Sequence, residues 1–239
     1  EVTLPAGEDE IVIELGQAAA TANPIRVGVD SGAGGATQSD TGHWERADSL
    51  LGTLGTARSR LSAYDRLHLD YVLAWRSMDR NAVYRVARRR ALATPGSANA
   101  VREAGYNAIR LGHLREGIEL LRRFDPTRGI LRGHDSYWRH LTFAHHQAGE
   151  HRQELRDARR GRAADPHSMH RLRNEAVALA AMGRTDDLHR LLDEALGLGE
   201  SSRVHAGNVM EAAARELRAH GFEGEAPAVV QIAVAWHLR

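Results

Sequence analysis

Apolar residues recur at helical spacing from Trp44 to the end of the chain, and short breaks divide them into paired runs. At the start of this pattern Trp44, Leu51 and Leu54 fall on one stripe of a helix. The first break carries a methionine and the next four carry a glycine: Met78, Gly112, Gly149, Gly183 and Gly221. The steps between these positions are 34, 37, 34 and 38 residues. This spacing predicts a repeated helix–turn–helix unit.

Proline and glycine mark the predicted ends of these helices. The predicted pairs are Ala63–Met78 with Asn81–Ala93, Ala98–Leu111 with Leu114–Phe124, Asp135–Ala148 with His151–Ala164, Ser168–Met182 with Thr185–Leu196, and a helix from about Arg203 to the turn at Gly221–Gly224 with Ala226–Arg239. Trp44–Leu61 is predicted as a single helix that caps the stack or completes an earlier repeat. Because one pair cannot bury its apolar face alone, neighbouring pairs must stack. The predicted fold is an all-α, right-handed α-solenoid of about five degenerate helix–turn–helix repeats.

The amino-terminal residues differ from everything that follows them. Glu1–Leu4, Glu10–Leu15 and Ile25–Asp30 are short β-type runs, and Ser31–Ala36 has the composition of a linker. We therefore expect an acidic extended segment with a linker at residues 1–43 and a helical repeat domain at residues 44–239.

Composition excludes several kinds of chemistry. The chain has no cysteine, and all 32 of its basic residues are arginine, so disulfides, thiolate metal sites and lysine-dependent nucleotide sites are excluded. No stretch is long and apolar enough for a membrane span. Because the chain opens on Glu1, we expect a processed or excised piece, produced by removal of a signal peptide or by loss of an upstream domain. The lack of cysteine leaves the compartment open, and an extracytoplasmic (periplasmic) one is our expectation.

Several positions match the tetratricopeptide-repeat (TPR) family once the repeats are aligned. The matching residues are Trp138, Leu141, Gly149 and Pro166 in the third repeat, Gly105 and Gly112 in the second, and Ala176, Gly183 and Ala195 in the fourth. The chain departs from the family at Gly117, Glu154 and Leu188, where alanine is usual. The chain thus resembles TPR proteins, and the resemblance implies a concave groove that binds other proteins.

A narrower resemblance rests on Phe124–Gly133 with Tyr137 and Trp138, and on Glu154–Arg162. These stretches are similar to the carboxy-terminal TPR regions of bacterial multidomain kinase, cyclase and winged-helix regulators. The resemblance implies a non-catalytic scaffold or sensor module of a larger bacterial assembly. It implies no enzyme activity and no cofactor.

In TPR proteins five positions of each first helix face the groove. Carried over to this chain, seven of those 25 positions are arginine and two are acidic. The predicted groove residues are Trp75, Arg76, Arg102, Tyr106, Arg110, Arg139, Phe143, His146, Arg173 and Arg215. Arginine forks beside aromatic rings suit carboxylates, so we expect an acidic peptide or segment as the partner. A face that is merely solvated is the alternative.

Two features favour association with another chain or with the chain itself. Residues 1–43 carry seven acids and one arginine, a net charge of −6, so the remaining residues carry +7 to give the total of +1. Opposite charge favours docking of the acidic segment on the solenoid, and a solvated tail is the alternative. The last helix is apolar nearly all round, so we expect it to be covered. A structural or self-assembling subunit is therefore the second hypothesis for function.

Histidine is the residue type most open to metal chemistry, since His134, His140, His145, His146 and His151 lie close together in sequence. His140 and His145 are five residues apart and point about 140° away from each other on a helix. We expect groove or surface histidines and no metal site, and His146 with His151 across the turn is the pair to test.

Catalytic and nucleic-acid functions have weaker support. The chain has no Gly-x-Ser-x-Gly elbow, so no catalytic residue is assigned. Two second helices are rich in arginine, at residues 85–90 and 156–162, but the isoelectric point is only about 8.5 and no nucleic-acid motif occurs. We expect protein partners and regard nucleic acid as unlikely.

Overall fold

A computed structural model describes residues 12–14, 26–28, 49, 51–198 and 204–238, with residues 12–14, 26–28 and Asp135 described by their backbone alone. The described strands are β1 (Val12–Glu14) and β2 (Arg26–Gly28). The described α-helices that make up the repeats are α1 (Ala63–Arg76), α2 (Arg80–Ala93), α3 (Ala98–Arg110), α4 (Leu114–Leu121), α5 (Asp135–Gln147), α6 (His151–Ala164), α7 (Met169–Ala181), α8 (Thr185–Gly197), α9 (Ala206–Ala219) and α10 (Ala226–His237). Residues 51–56 are also helical, and Arg58–Arg60 and Gly129–Leu131 form short 3₁₀ turns. The predicted all-α arrangement of five helical pairs is confirmed within these ranges.

The chain divides into two compact units, Glu1–Pro95 and Gly96–Arg239. The predicted boundary between residues 43 and 44 lies outside the described residues and stays a prediction. The predicted run Glu1–Leu4 and the linker Ser31–Ala36 also lie outside them.

In the first unit, β1 and β2 pair antiparallel, with Val12 opposite Gly28 and Glu14 opposite Arg26. This pairing confirms an extended backbone for the described parts of two predicted β-type runs, Glu10–Leu15 and Ile25–Asp30. The helices α1 and α2 pack against each other. A small apolar core joins Leu51 and Leu54 to Leu69 and Val72 of α1.

The second unit consists of four helical hairpins, α3–α4, α5–α6, α7–α8 and α9–α10. The first helices of successive hairpins contact one another in the order α3, α5, α7, α9. Leucine, alanine and valine side chains from α7, α8, α9 and α10 form the larger part of the core. This arrangement places one face of α3, α5, α7 and α9 along a common inner surface.

Local side-chain chemistry explains where the helices begin and turn. The Ser62 and Ser97 hydroxyls accept hydrogen bonds from backbone N–H groups in the first turns of α1 and α3, and the Asp79 carboxylate does so for α2. At the five turns the chain enters the left-handed region, with φ of 56° at Met78 and 64–83° at the four glycines. Glycine adopts this conformation without strain, whereas methionine does not.

Small residues let the paired helices of the second unit approach closely. A Cβ atom on Gly117 of α4 would lie 2.9 Å from the Gly105 carbonyl oxygen and would clash with Ile109. A Cβ atom on Gly161 of α6 would lie 2.9 Å from the Trp138 ring. The departure from alanine at Gly117 thus follows from tight packing. The helix α4 ends at Leu121, three residues before the predicted end at Phe124, and a turn leads from there to Pro126.

Candidate functional site

A groove of about 440 Å³ lies on the inner surface of the second unit, between α3, α5, α7 and α9. Seven of the ten predicted groove residues line it: Tyr106, Arg110, Arg139, Phe143, His146, Arg173 and Arg215. The structure thus brings together side chains that are up to 109 positions apart in the sequence (106 to 215). Their role in binding a partner stays a prediction.

The other three predicted residues do not line this groove. Trp75 and Arg76 belong to α1 of the first unit, where Trp75 is half-buried and packs edge-on against Tyr71, with ring centroids 6.5 Å apart. Arg102 lies on α3, and its guanidinium donates to the Asn99 side-chain oxygen over 2.7 Å. The Arg102 side chain is 17% exposed, so little of its charge is presented to solvent.

Positive charge accumulates along the middle of the groove. Arg139 of α5, Arg173 of α7 and Arg215 of α9 all line it. Burial lowers the pKa of Arg173 from its usual value, and the nearby positive charges of Arg215 and Arg139 lower it further, while Glu216 acts in the opposite direction. The neighbouring guanidinium groups therefore repel one another in the absence of a bound anion.

Aromatic rings form the wall of the groove beside these arginines. The rings of Tyr106 and His140 meet edge to face with centroids 4.0 Å apart, and the Arg110 guanidinium donates to the Tyr106 hydroxyl over 2.9 Å. Burial and the charge of Arg139 lower the pKa of His140 to about 3, so this ring is neutral at pH 7. Phe143 is 48% exposed, which leaves an apolar surface open in the groove.

Three histidines and two glutamates meet at the end of the groove, and we name them the His/Glu cluster: His146, His151, Glu154, Glu216 and His220. The predicted pair His146 and His151 comes together, with ring centroids 5.2 Å apart. His220 joins them from the end of α9, at 4.8 Å from His151 and 5.5 Å from His146. A hydrogen bond to Glu154 raises the pKa of His146 against the effect of burial.

His145 points away from this cluster although it is adjacent to His146. It is 1% exposed, with its Nδ1 2.7 Å from Glu150 and its Nε2 3.4 Å from Asp157. Arg122 donates to the same Asp157 carboxylate over 2.9 Å. The side chains of these two adjacent histidines therefore diverge, and His145 of α5 is part of a network that joins Arg122, just after α4, to Asp157 of α6.

Arginines on the outer helix α6 have carboxylate partners. Arg159 donates to Glu175 over 2.9 Å, and Arg162 donates to the other oxygen of Glu175 over 3.0 Å and also to Glu194. Arg160 pairs with Asp157 at 3.3 Å. These contacts neutralise much of the basic run that sequence analysis considered for nucleic acid.

Sequence reasoning assigned no role to Glu154, Glu216 or His220. The pair across the α5–α6 turn was visible in the sequence because its two members are five residues apart. The approach of α9 depends on how the intervening hairpin α7–α8 stacks, which no local spacing reports.

Comparison with known proteins concerns the fold. No protein-family model matches the sequence, and no curated protein matches it. A solved MamA structure has a TM-score of 0.54 at 13% identity and covers 72% of this chain and 90% of its own, and a second has 0.52 at 15%, covering 68% and 91%. TTC0263, a TPR protein of Thermus thermophilus, has a TM-score of 0.47 at 16% identity and covers 72% of this chain and 91% of its own.

At these identities the likeness to MamA shows the fold alone, and that fold agrees with the helical hairpins described above. The predicted α-solenoid of TPR-like repeats is thereby confirmed. Among the described helices, none is long and apolar enough to cross a membrane.

Proposed function

We propose that the second unit is a non-catalytic scaffold that binds an acidic segment of a protein partner in its groove. The observation that carries this proposal is the meeting of Arg139, Arg173 and Arg215 beside exposed Phe143. A carboxylate bound between the guanidinium groups would relieve their mutual repulsion and gain charge-assisted hydrogen bonds. An apolar side chain of the same peptide would cover Phe143.

The volume of the groove suits an extended peptide better than a folded domain. Four first helices contribute to its lining, and its volume of about 440 Å³ is that of a site for a few side chains. Recognition of acidic motifs by arginine clusters is an established mode of peptide binding. We further propose that the chain serves as an interaction module of a larger bacterial regulatory assembly, as the narrower sequence resemblance implies.

Fluorescence anisotropy with a labelled peptide tests this proposal. The probe is a ten-residue peptide of alternating glutamate and leucine, and the matched control peptide has glutamine in place of glutamate. We expect binding of the acidic peptide alone, weakened by salt, and weakened about tenfold or more by Arg139→Ala or Arg173→Ala because each removes a charge-assisted contact.

Arg152→Ala provides the control variant, since Arg152 is exposed on α6 and does not line the groove. The peptide affinity of Arg152→Ala should equal that of the wild type. Equal binding of the glutamate and glutamine peptides, or equal affinity in the Arg173→Ala and Arg152→Ala variants, would overturn the proposal.

A second candidate function is self-assembly through α10. This helix packs Ala226, Val229 and Ala233 inward, but its Val234 is 51% exposed, and Leu238 directly after the helix is 82% exposed. Light scattering at low and high salt tests this candidate. A salt-insensitive oligomer that Val234→Glu converts to a monomer supports it, and a monomeric wild type at both salt concentrations rules it out.

A further inference from the structure

The His/Glu cluster has the composition and the spacing of a metal site. Potential ligand atoms of His146, Glu216 and His220 all lie within 4.8 Å of one another. Imidazole nitrogen and carboxylate oxygen are ligands that Zn²⁺ accepts, commonly as two histidines and one glutamate with a fourth position open. We propose that His146, Glu216 and His220 bind one divalent transition-metal ion, with zinc as the ion that this ligand set fits best.

Glu154 orients the first of these ligands. The Nδ1 atom of His146 lies 3.1 Å from both oxygens of Glu154, and its Nε2 atom faces Glu216 at 3.3 Å. When Nδ1–H donates to the carboxylate, the lone pair of the neutral ring is on Nε2, on the side of Glu216. A carboxylate that holds the far side of a histidine is the usual support of a histidine ligand in metal sites.

The other two histidines are held through the same ring nitrogen. The Nδ1 atom of His220 lies 3.0 Å from the backbone oxygen of Glu216, and the Nδ1 atom of His151 lies 3.0 Å from Glu154. When Nδ1–H donates in each of these hydrogen bonds, the lone pair of the neutral ring is on Nε2. Because its ring centroid is 4.8 Å from that of His220, His151 is the candidate for the fourth ligand.

One ion fits the cluster better than two. His146, His151 and Glu154 form a second group whose ligand atoms lie within 4.8 Å of one another, but it shares His146 with the first. Glu154 is 1% exposed and already accepts hydrogen bonds from two rings. It therefore supports the histidines and does not bind the ion itself. Its role is that of a positioning residue.

The two glutamates supply negative charge to the site, and the positive charges of Arg215 and Arg173 lie beyond Glu216. With neutral histidines, Glu154 and Glu216 supply two negative charges. Arg215 lies 4.0 Å from Glu216, but its side chain is 66% exposed and has room to turn into solvent. His146 and Glu216 are each 15% exposed, so an ion can enter from the groove and yet be shielded from most of the water.

Binding would tie together parts of the second unit that are not consecutive. His146 ends the inner helix of the α5–α6 hairpin, whereas Glu216 and His220 belong to the end of α9. The hairpin α7–α8 lies between them in the sequence. A metal ion at this point would therefore fix the distance between α5 and α9 across the groove.

Isothermal titration with zinc chloride tests the proposal on tag-free chain that has been treated with EDTA and dialysed. We expect one ion per chain and a rise in melting temperature that EDTA reverses. Glu216→Gln and His220→Gln should each weaken binding more than tenfold. His167→Gln is the control, since His167 is exposed in the turn before α7 and lies outside the cluster, and it should bind zinc like the wild type.

Two further measurements separate ligands from structural residues. Glu154→Gln should retain one ion per chain with about 10–100-fold weaker binding, as loss of a supporting carboxylate does elsewhere, and it should shift the visible absorption of the cobalt-substituted protein. X-ray absorption of the zinc-loaded wild type should show at least two imidazoles on the ion. Zinc without imidazole ligands, a wild type that does not bind zinc, or wild-type affinity in both Glu216→Gln and His220→Gln would overturn the proposal.

Discussion

Arginine has opposite roles on the inner and outer faces of the second unit. On outer helix α6, Arg159 and Arg162 share the Glu175 carboxylate, which is 4% exposed, and Arg162 also reaches Glu194. On the inner face, Arg173 lies among other arginines, and its pKa is lowered by burial and by their charges. The outer arginines therefore hold hairpins together, whereas the inner ones carry the charge that we propose binds a ligand.

This difference shows why a count of arginines is a poor guide to function. Both faces are basic in sequence, and the outer run is the denser of the two. Pairing with carboxylates from neighbouring helices cancels that density, because a neutralised guanidinium has little attraction left for phosphate or peptide. The partners of each arginine decide its role.

Loss of the α7 carboxylate that the outer arginines share should have the largest effect on stability. Glu175→Ala leaves Arg159 and Arg162 without their shared partner and removes two charge-assisted hydrogen bonds between α6 and α7. We expect the free energy of unfolding to fall by about 2 kcal/mol, below the range for fully buried pairs because Arg159 is 49% exposed. Urea denaturation followed by circular dichroism measures this change, and a change below about 0.5 kcal/mol would contradict the structural role of the pair.

A fall in pH should lower the free energy of unfolding because His140, on the inner face, is held neutral in the folded chain. Its pKa is about 3 in the folded chain because of burial and Arg139, whereas an unfolded histidine titrates near 6.5. The unfolded chain therefore takes up the proton first, and the stability that the neutral ring contributes above pH 6.5 is lost as the pH falls toward 3.

The measurement compares the wild type with His140→Gln at pH 7 and pH 5. We expect the wild type to lose about 1 kcal/mol more than the variant between these values, a discounted estimate because the ring is partly exposed. An equal loss in both proteins would mean that His140 accepts a proton freely in the folded state.

Substitutions in the turns between the two helices of a pair should change the free energy of unfolding less. Gly149 has φ of 69°, so Gly149→Ala forces a side chain into the left-handed region and should cost about 1 kcal/mol. Met78 occupies the same conformation at φ of 56°, so Met78→Gly should gain about 0.5 kcal/mol, since relief of strain exceeds the entropy that glycine loses. A loss of stability in Met78→Gly, measured by urea denaturation, would show that the methionine side chain has another role there.

Local features of the sequence were sufficient for most of the fold. Most helix ends depend on residues next to them, such as the serine caps and the turn glycines, so their prediction needed no tertiary information; the end of α4 at Leu121 instead of Phe124 is an exception. The groove residues on α3, α5, α7 and α9 came from the TPR resemblance, which implies which positions of each first helix face the groove. Trp75 and Arg76 have the same phase but belong to the first compact unit, so they do not line the groove described here.

The site chemistry depended on contacts between hairpins and was less predictable. The His146–His151 pair spans one turn and was visible, but Glu216 and His220 arrive from two hairpins further along. In the same way, nothing in the sequence of α6 shows that Glu175 and Glu194 neutralise it. The angles at which neighbouring helices pack decide such contacts, and these angles depend on many small packing preferences along each helix.

The smallest expected effect on stability is also the sharpest test of the contrast between the two faces. Arg173→Ala removes a guanidinium that neighbouring arginines repel, so stability should be unchanged or rise by up to about 0.5 kcal/mol. Arg162→Ala removes a guanidinium that bonds Glu175 and Glu194, so stability should fall by about 1 kcal/mol. Urea denaturation of both variants at low and at high salt measures these stability changes, and salt should reduce both because it screens the charges. If Arg173→Ala destabilised the chain as much as Arg162→Ala does, the inner arginine would be a structural residue, and a ligand would no longer be needed to explain its position.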